Sequence, residues 1–101
     1  MARPTPLGDT DLDRALSGLP GWSVVEGKLH RELGFADFGR ACGFMAAAAT
    51  VAAAMDHHPE WTNVYSRVVI DLTTHDAGGI TALDVTLASR MSDLASECGA
   101  D

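Results

Sequence analysis

The spacing of hydrophobic residues predicts three helices. The first is expected from Asp9 or Thr10 to about Ser17. The second covers residues 36–56, where apolar side chains recur at three- and four-residue steps. The third follows residues 81–84, whose Thr and Asp resemble a capping box, and it ends near Gly99. The inner face expected for the second helix consists of Phe38, Cys42, Met45, Ala49 and Ala52.

Alternating apolar and polar residues predict the strands. Residues 22–25 and 29–33 flank Glu26-Gly27-Lys28, a hairpin turn. Residues 64–74 alternate throughout and predict one long strand, and Ile80 begins a short return strand. The order α-β-β-α-β-β-α predicts an α+β fold, in which helices cover one face of a four-stranded antiparallel sheet. We expect residues 1–8 to form a flexible tail and residues 9–101 to form a single domain.

Composition narrows the classes of function. The chain has 101 residues, is 47% hydrophobic and carries a formal net charge of −7. This charge argues against direct binding to nucleic acid or to an anionic membrane surface. The first six residues lack the apolar region of a secretory signal, and Phe44–Met55 is too short and too alanine-rich to span a membrane. We therefore expect a cytoplasmic protein with reduced cysteines.

Three of the four histidines lie in two short segments. His57 and His58 occur in the run of residues 55–61, and His75 follows the predicted strand 64–74. Pro59 disfavours a helical conformation for His58, so His57 is expected in the last turn of the helix. A single strand between the two segments would bring the three imidazoles to one pocket. Imidazole titrates near neutral pH, so this arrangement indicates proton transfer on a small molecule.

Other readings of these residues remain open. Asp84 could cap the last helix or orient His75, and Trp61 could form a flat wall for a planar ligand or pack in the core. Each histidine taken alone could simply face solvent. Three histidines and a carboxylate could also hold a metal ion, although adjacent His57 and His58 lack the i,i+4 spacing of two ligands on one helical face.

These residues resemble the pterin-4a-carbinolamine dehydratases. Family members show an HHPEW-like run, a strand containing Val-Tyr, and a Thr-His-Asp/Glu turn that ends in Gly. The matching segments here are residues 57–61, 64–65, 74–76 and 79–80. The resemblance continues upstream through Gly21-Trp22 and residues 34–45, so it covers nearly the whole chain from Gly21 to about Ala95. Ala53 departs from the pattern, because family members often carry a Glu one turn before the first His.

The resemblance implies both a reaction and roles for residues. Such enzymes dehydrate 4a-hydroxytetrahydropterin to quinonoid dihydropterin and water, which recycles the tetrahydropterin of aromatic amino acid hydroxylases. They need no metal or organic cofactor, and they form homodimers or homotetramers. Carried over by position, His57 and His75 are an acid–base pair, and His58 binds and orients the substrate. Further substrate-binding candidates are Asp56, which could replace the missing Glu, together with Trp61 and Asp84.

A second hypothesis is a binding or assembly module with little or no catalytic activity. Some proteins similar to this family stabilise the dimer of a homeodomain transcription factor, and others act as assembly factors. Such a module would use the alanine-rich helix or the open face of the sheet. The three histidines favour the enzyme, whereas Ala53 favours the module.

Overall fold

The structure is a computed structural model, and it describes residues 4–101. The helices are α1 (Asp9–Ser17), α2 (Phe38–Met55) and α3 (Ala82–Glu97), and the strands are β1 (Ser23–Val25), β2 (Lys28–Gly34), β3 (Glu60–Val64) and β4 (Arg67–Leu72). This order confirms the predicted α+β pattern α-β-β-α-β-β-α. Residues 1–3 of the expected flexible tail lie outside the described residues. Within that tail, Leu7 donates a backbone hydrogen bond to Ile80. The assignment of a single domain to residues 9–101 stays a prediction.

The strands form one antiparallel sheet in the order β1-β2-β4-β3. The first hairpin turns at Glu26 and Gly27, whose φ angles of 52° and 78° are both positive. Two successive positive φ angles are typical of the type I′ turn, which matches the twist of the flanking strands. This tight turn is followed by β2, which begins at Lys28.

The predicted long strand 64–74 is wrong, because this segment contains a hairpin. The chain reverses at Tyr65 and Ser66, and Val64 pairs with Arg67. Tyr65 has a φ of 53°, a left-handed conformation that the sequence does not mark with a glycine. The Asn63 side chain holds the turn, since its amide donates to the carbonyls of Tyr65 and Arg67, both at 2.9 Å. The predicted strand at Ile80 is also absent from the described residues; an isolated bridge joins Thr74 to Gly79 instead.

One face of the sheet packs against the helices. Inward side chains of the two central strands, β2 and β4, are fully or almost fully buried: Leu29, Leu33, Val68, Ile70 and Leu72. The other face is open and carries an ionic row of Lys28, His30, Glu32, Glu60, Arg67 and Asp71. The fold therefore matches the prediction of helices on one side only.

The buried face of α2 agrees with the predicted one at Ala52, and Met45 packs partly against the core, but the other predicted positions are exposed. Ala41, Phe44, Ala48 and Ala52 are buried, whereas Phe38 is 56% exposed. The reason is the packing of Phe44 on Phe35, with ring centroids 5.3 Å apart. This aromatic contact lies on the same side of α2 as the buried alanines. By length and composition α2 could also cross a membrane, but these features are typical of a core helix too.

Candidate active site

A cleft of about 250 Å³ lies where the end of α2 meets the segment that follows β4. The three histidines of the two short segments line it together, although a hairpin rather than one strand connects them. The complete lining consists of Asp56, His57, His58, Thr73, Thr74, His75 and Asp76.

The end of α2 turns His57 into the protein. Asp56 adopts a left-handed conformation with φ 51°, and its N–H donates to Ala53. The N–H of His57 donates to Ala52, five residues earlier. These two bonds form a Schellman motif, which reverses the chain at a helix C-terminus. His57 consequently lies beyond the last helical turn, not within it as predicted, and it is only 8% exposed.

A buried carboxylate holds the ring of His57. Its Nε2 lies 2.6 Å from Oδ1 of Asp84, which is completely buried. The other oxygen, Oδ2, accepts hydrogen bonds from the Thr74 hydroxyl at 2.8 Å and from the Thr81 N–H at 2.9 Å. The Thr74 and Thr81 hydroxyls are themselves 2.8 Å apart. Every fully buried side-chain polar atom of this cluster has a hydrogen-bond partner, as buried polar groups require.

The cluster also determines which nitrogen of His57 is available. Because an ionised carboxylate only accepts hydrogen bonds, the N–H group at Nε2 is the donor in the hydrogen bond to Asp84. Nδ1 has no hydrogen-bond partner among residues 4–101. All fully buried side-chain nitrogens in that range do have a partner, so Nδ1 is not one of them. Nδ1 is therefore accessible, and it is the nitrogen of His57 that can exchange a proton with a molecule in the cleft.

His75 has a different environment on the same cleft. It begins the short 3-10 helix His75–Ala77, which Gly78 ends with a φ of 77°. Its side chain is 77% exposed, and its Nε2 lies 2.9 Å from Oε2 of Glu60. The second oxygen of Glu60 accepts a 2.6 Å hydrogen bond from Nζ of Lys28. That hydrogen bond lowers the pKa of Glu60 below its ordinary value, which is already acidic, so Glu60 is ionised at neutral pH with or without Lys28.

Two further predicted residues lie on the cleft. His58 is exposed and directly follows His57 outside the helix, and Asp56 borders the cleft as the residue that reverses the chain. Both can contact a bound molecule without a change in the backbone.

The structure places the other two candidates differently. Of the two alternatives for Asp84, the structure has the capping box with Thr81 and not the contact with His75, because the oxygens of Asp84 bind His57, Thr74 and Thr81. Trp61 is not in the lining of the cleft. It pairs with Ile70 on the helix-covered side of the sheet and packs against the core, and its role in substrate binding stays a prediction.

Sequence reasoning missed four residues around the histidines. Thr74 and Thr81 support Asp84, while Glu60 and Lys28 support His75. Only Thr81 carried a local signal, the capping box. The others depend on strand register, which places residues far apart in sequence side by side. No group of three His, Cys, Asp or Glu side chains within residues 4–101 is arranged to hold a metal ion.

The comparisons with known proteins agree with this arrangement. The family model described as Pterin 4 alpha carbinolamine dehydratase matches residues 5–94. A Solibacter usitatus protein named for pterin-4-alpha-carbinolamine dehydratase is 58% identical over 91 residues, which are 90% of this chain and 96% of that protein. A Prochlorococcus marinus protein with the same name is 41% identical over 92 residues, 91% of this chain and 96% of that protein.

A solved structure extends the similarity to the fold. The crystal structure of a transcriptional coactivator/pterin dehydratase from Brucella melitensis superposes with a TM-score of 0.87 and 43% identity. The match covers 90% of this chain and 99% of that one. With three histidines on one cleft, a family match over most of its length and relatives of the same size, the chain belongs to the pterin-4-alpha-carbinolamine dehydratases, a family of hydro-lyases.

Proposed function

We propose that this protein dehydrates 4a-hydroxytetrahydropterin to quinonoid dihydropterin and water by acid–base catalysis. The observation that supports this most is the pairing of two differently held histidines, buried His57 and exposed His75, on one cleft. The names of the relatives support the same substrate class. The proposed substrate is a flat bicyclic molecule, and both imidazoles and His58 border the space that would receive it.

The reaction requires two proton transfers. The C4a–O bond breaks, N5 loses its proton, and a C4a=N5 double bond forms while water departs. Hydroxide is a poor leaving group, so a proton delivered to the departing oxygen lowers the barrier. A positioned general acid or base contributes about 10²–10⁴-fold to such a step. One histidine donates a proton to the hydroxyl and the other accepts the N5 proton, which leaves the net protonation of the protein unchanged.

The geometry suggests how the protein assists these transfers. Asp84 fixes His57 with Nε2–H directed to the carboxylate, so Nδ1 can face the substrate without a change of tautomer. Burial restricts the ring, which removes the entropic cost of orienting it during the reaction. His58 is assigned to binding and orienting the pterin, and Asp56 lies close enough on the lining to contact its polar edge. No metal or organic cofactor takes part in this proposal.

The physiological role follows from the substrate. An aromatic amino acid hydroxylase that uses tetrahydropterin releases the 4a-hydroxy compound, and its dehydration begins the return to tetrahydropterin. We propose that this protein recycles the hydroxylase cofactor and that it works in the cytoplasm. Its link to the hydroxylase is through this small molecule.

A coupled assay tests the proposal. A hydroxylase generates the 4a-hydroxypterin, and its disappearance is followed by absorbance with and without the purified protein. We expect the protein to accelerate the loss, and we expect His75→Ala and His57→Ala each to reduce that acceleration at least about tenfold. His30→Ala is the matched control, since His30 lies on the open face of the sheet and does not line the cleft. An unchanged rate of loss on addition of wild-type protein would overturn the proposal.

A second property, self-association, is favoured by the outer side of α2. Phe38 is 56% exposed there, and the residues that continue the same side are small and exposed: Cys42, Ala46, Ala49 and Ala53. Small side chains allow another helix to approach closely. We propose that two copies of this chain associate through this surface, giving a homodimer or a homotetramer. The alternative assembly function would use the same surface.

Mass measurement in solution checks this association. Wild-type protein is expected to elute as a dimer or tetramer in size-exclusion chromatography with light scattering, and Ala49→Glu is expected to shift it to the monomer because it buries a charge at the contact. Ser89→Glu, on an exposed position of α3, is the control that should not change the mass. A wild-type monomer at assay concentrations would exclude the surface as a self-association site. Loss of association with full dehydratase activity would separate the two functions.

A further inference from the structure

His75, the exposed histidine of the cleft, contacts Glu60, and Glu60 in turn contacts Lys28. Nε2 of His75 is 2.9 Å from Oε2 of Glu60, and Nζ of Lys28 is 2.6 Å from Oε1 of the same carboxylate. Each oxygen of Glu60 therefore has a separate side-chain nitrogen within contact distance. The three residues come from three different elements: Lys28 begins β2, Glu60 begins β3, and His75 follows β4.

The sheet brings these residues together. β4 lies between β2 and β3, and Glu60 pairs directly with Asp71 near the end of β4. Lys28 reaches across β4 on the open face to meet Glu60. His75, three residues beyond the last residue of β4, lies close enough to contact the same carboxylate. Only correct pairing of all three strands produces this arrangement.

Packing alone does not fix His75. Its side chain is 77% exposed, so few neighbours restrict its rotation, in contrast to the 9% exposed side chain of His57. An exposed imidazole can occupy several staggered rotamers. Glu60 selects among them, because only some place Nε2 within reach of its carboxylate. Lys28 in turn holds the carboxylate through the 2.6 Å hydrogen bond from its Nζ.

We propose that Glu60, held by Lys28, is the positioning residue of His75. This inference rests on the proposed function, since it concerns the orientation of one of the two histidines that exchange protons with the pterin. With Nε2 engaged by Glu60, Nδ1 of His75 is the nitrogen left for the substrate. Glu60 does not line the cleft, so it acts on the substrate only through His75.

A purely structural role for the same contacts makes a different prediction. Exposed ion pairs contribute little to stability, and Glu60 and Lys28 are both partly exposed. If the pair only fastened β3 to β2, its removal would lower the melting temperature and leave kcat unchanged. If it positions His75, its removal lowers kcat and leaves the melting temperature and KM close to those of wild type.

Steady-state kinetics of the full chain distinguish these roles. In the coupled dehydration assay, Glu60→Gln is expected to lower kcat about five- to tenfold, because a misdirected imidazole spends less time in the reactive geometry. Lys28→Met should lower kcat by a smaller factor, and Lys28→Arg should restore most of it, since an Arg can still hold the carboxylate. Glu32→Gln is the matched control: Glu32 lies on the same open face but pairs with Arg67 and His30.

A double-mutant cycle completes the test. In a His75→Ala background, Glu60→Gln is expected to cause no further loss, because the residue that it positions is gone. An unchanged kcat in Glu60→Gln, or an undiminished loss in the His75→Ala background, would overturn the inference while leaving the dehydratase function intact. Failure of the wild-type protein to accelerate the reaction would overturn both.

Discussion

Two histidine–carboxylate pairs border the cleft, and they differ mainly in their exposure to solvent. In the first, His57 and Asp84 are 9% and 0% exposed and lie 2.6 Å apart. In the second, His75 and Glu60 are 77% and 40% exposed and lie 2.9 Å apart. The ring nitrogen that faces the carboxylate is Nε2 in both pairs, so similar contacts occur in two dielectric environments, and the buried contact is a hydrogen bond.

Because of this difference in exposure, the two carboxylates are expected to contribute differently to the stability of the fold and to the orientation of the histidines. The carboxylate of Asp84 accepts hydrogen bonds from three groups that would otherwise be buried without an acceptor. Its removal therefore affects both the fold and the orientation of His57. Water can replace the partners of Glu60, so its removal affects chiefly the orientation of His75. A loss of activity at Asp84 would thus mix two causes, whereas a loss at Glu60 would report mainly one.

The largest expected effect is on the buried pair. Asp84→Asn keeps the shape of the side chain but replaces one acceptor oxygen with an NH₂ donor. This group cannot accept a hydrogen bond from the donors around it, so at least one of the hydrogen bonds is lost. We expect a loss of about 2–3 kcal/mol in the free energy of unfolding, typical of a charged hydrogen bond lost in the interior. Glu60→Gln is the equivalent change at the exposed pair and should leave that free energy close to the wild-type value. Urea denaturation measures both.

Equal effects at the two pairs would contradict this expectation. If Asp84→Asn and Glu60→Gln changed the free energy of unfolding equally, burial would not be what distinguishes the two pairs. A large loss in Glu60→Gln alone would show that the open face of the sheet, rather than the Asp84 cluster, contributes more to the stability of this region.

The sequence predicts those features of the site that depend on neighbouring residues in the chain. It does not predict which distant side chains contact one another. The capping box at residues 81–84 and the end of the helix before Pro59 depend on neighbours in the chain. The structure has the capping box as predicted, and it ends α2 at Met55, so that His57 lies outside the last turn. Of the two alternatives for Asp84, capping the last helix is confirmed and contact with His75 is not, because its contact with His57 depends on how the end of α2 reverses. Asp56 occupies the left-handed position that glycine usually takes, so nothing in the sequence marks the turn that buries His57.

The same limitation explains the error in the second half of the sheet. Tyr65 favours strands by propensity, and no glycine or proline marks the hairpin, so the alternation from Val64 onwards predicts one strand. The turn is held by a side chain, Asn63, through bonds to two carbonyls. Without that hairpin β3 would not lie beside β4, and the contact between Glu60 and His75 could not be predicted.

A third histidine provides an intermediate case with a smaller expected effect. His30 on β2 is 19% exposed, between the values for His57 and His75. Its Nδ1 is 2.8 Å from Asp71 and its Nε2 is 3.1 Å from Glu32. These hydrogen bonds, first that of Asp71 and then that of Glu32, raise the pKa of His30 above its ordinary value of 6.5. Both ring nitrogens can donate to carboxylates only in the protonated form.

The direction of this shift sets a pH dependence of stability. Because the folded state binds the proton of His30 more tightly than the unfolded state, the stabilisation is fully present below about pH 6.5 and disappears as pH rises through the raised pKa of the folded state. His30→Gln is therefore expected to lower the free energy of unfolding by about 0.5 kcal/mol at pH 5.5, as for a partly exposed ion pair, and by less at pH 9. Ser23→Ala, opposite His30 on β1, is the control. If His30→Gln lowered the free energy of unfolding equally at the two pH values, His30 would act by packing and not by its charge. The relation between burial and ionic stabilisation would then apply only to the two pairs at the cleft.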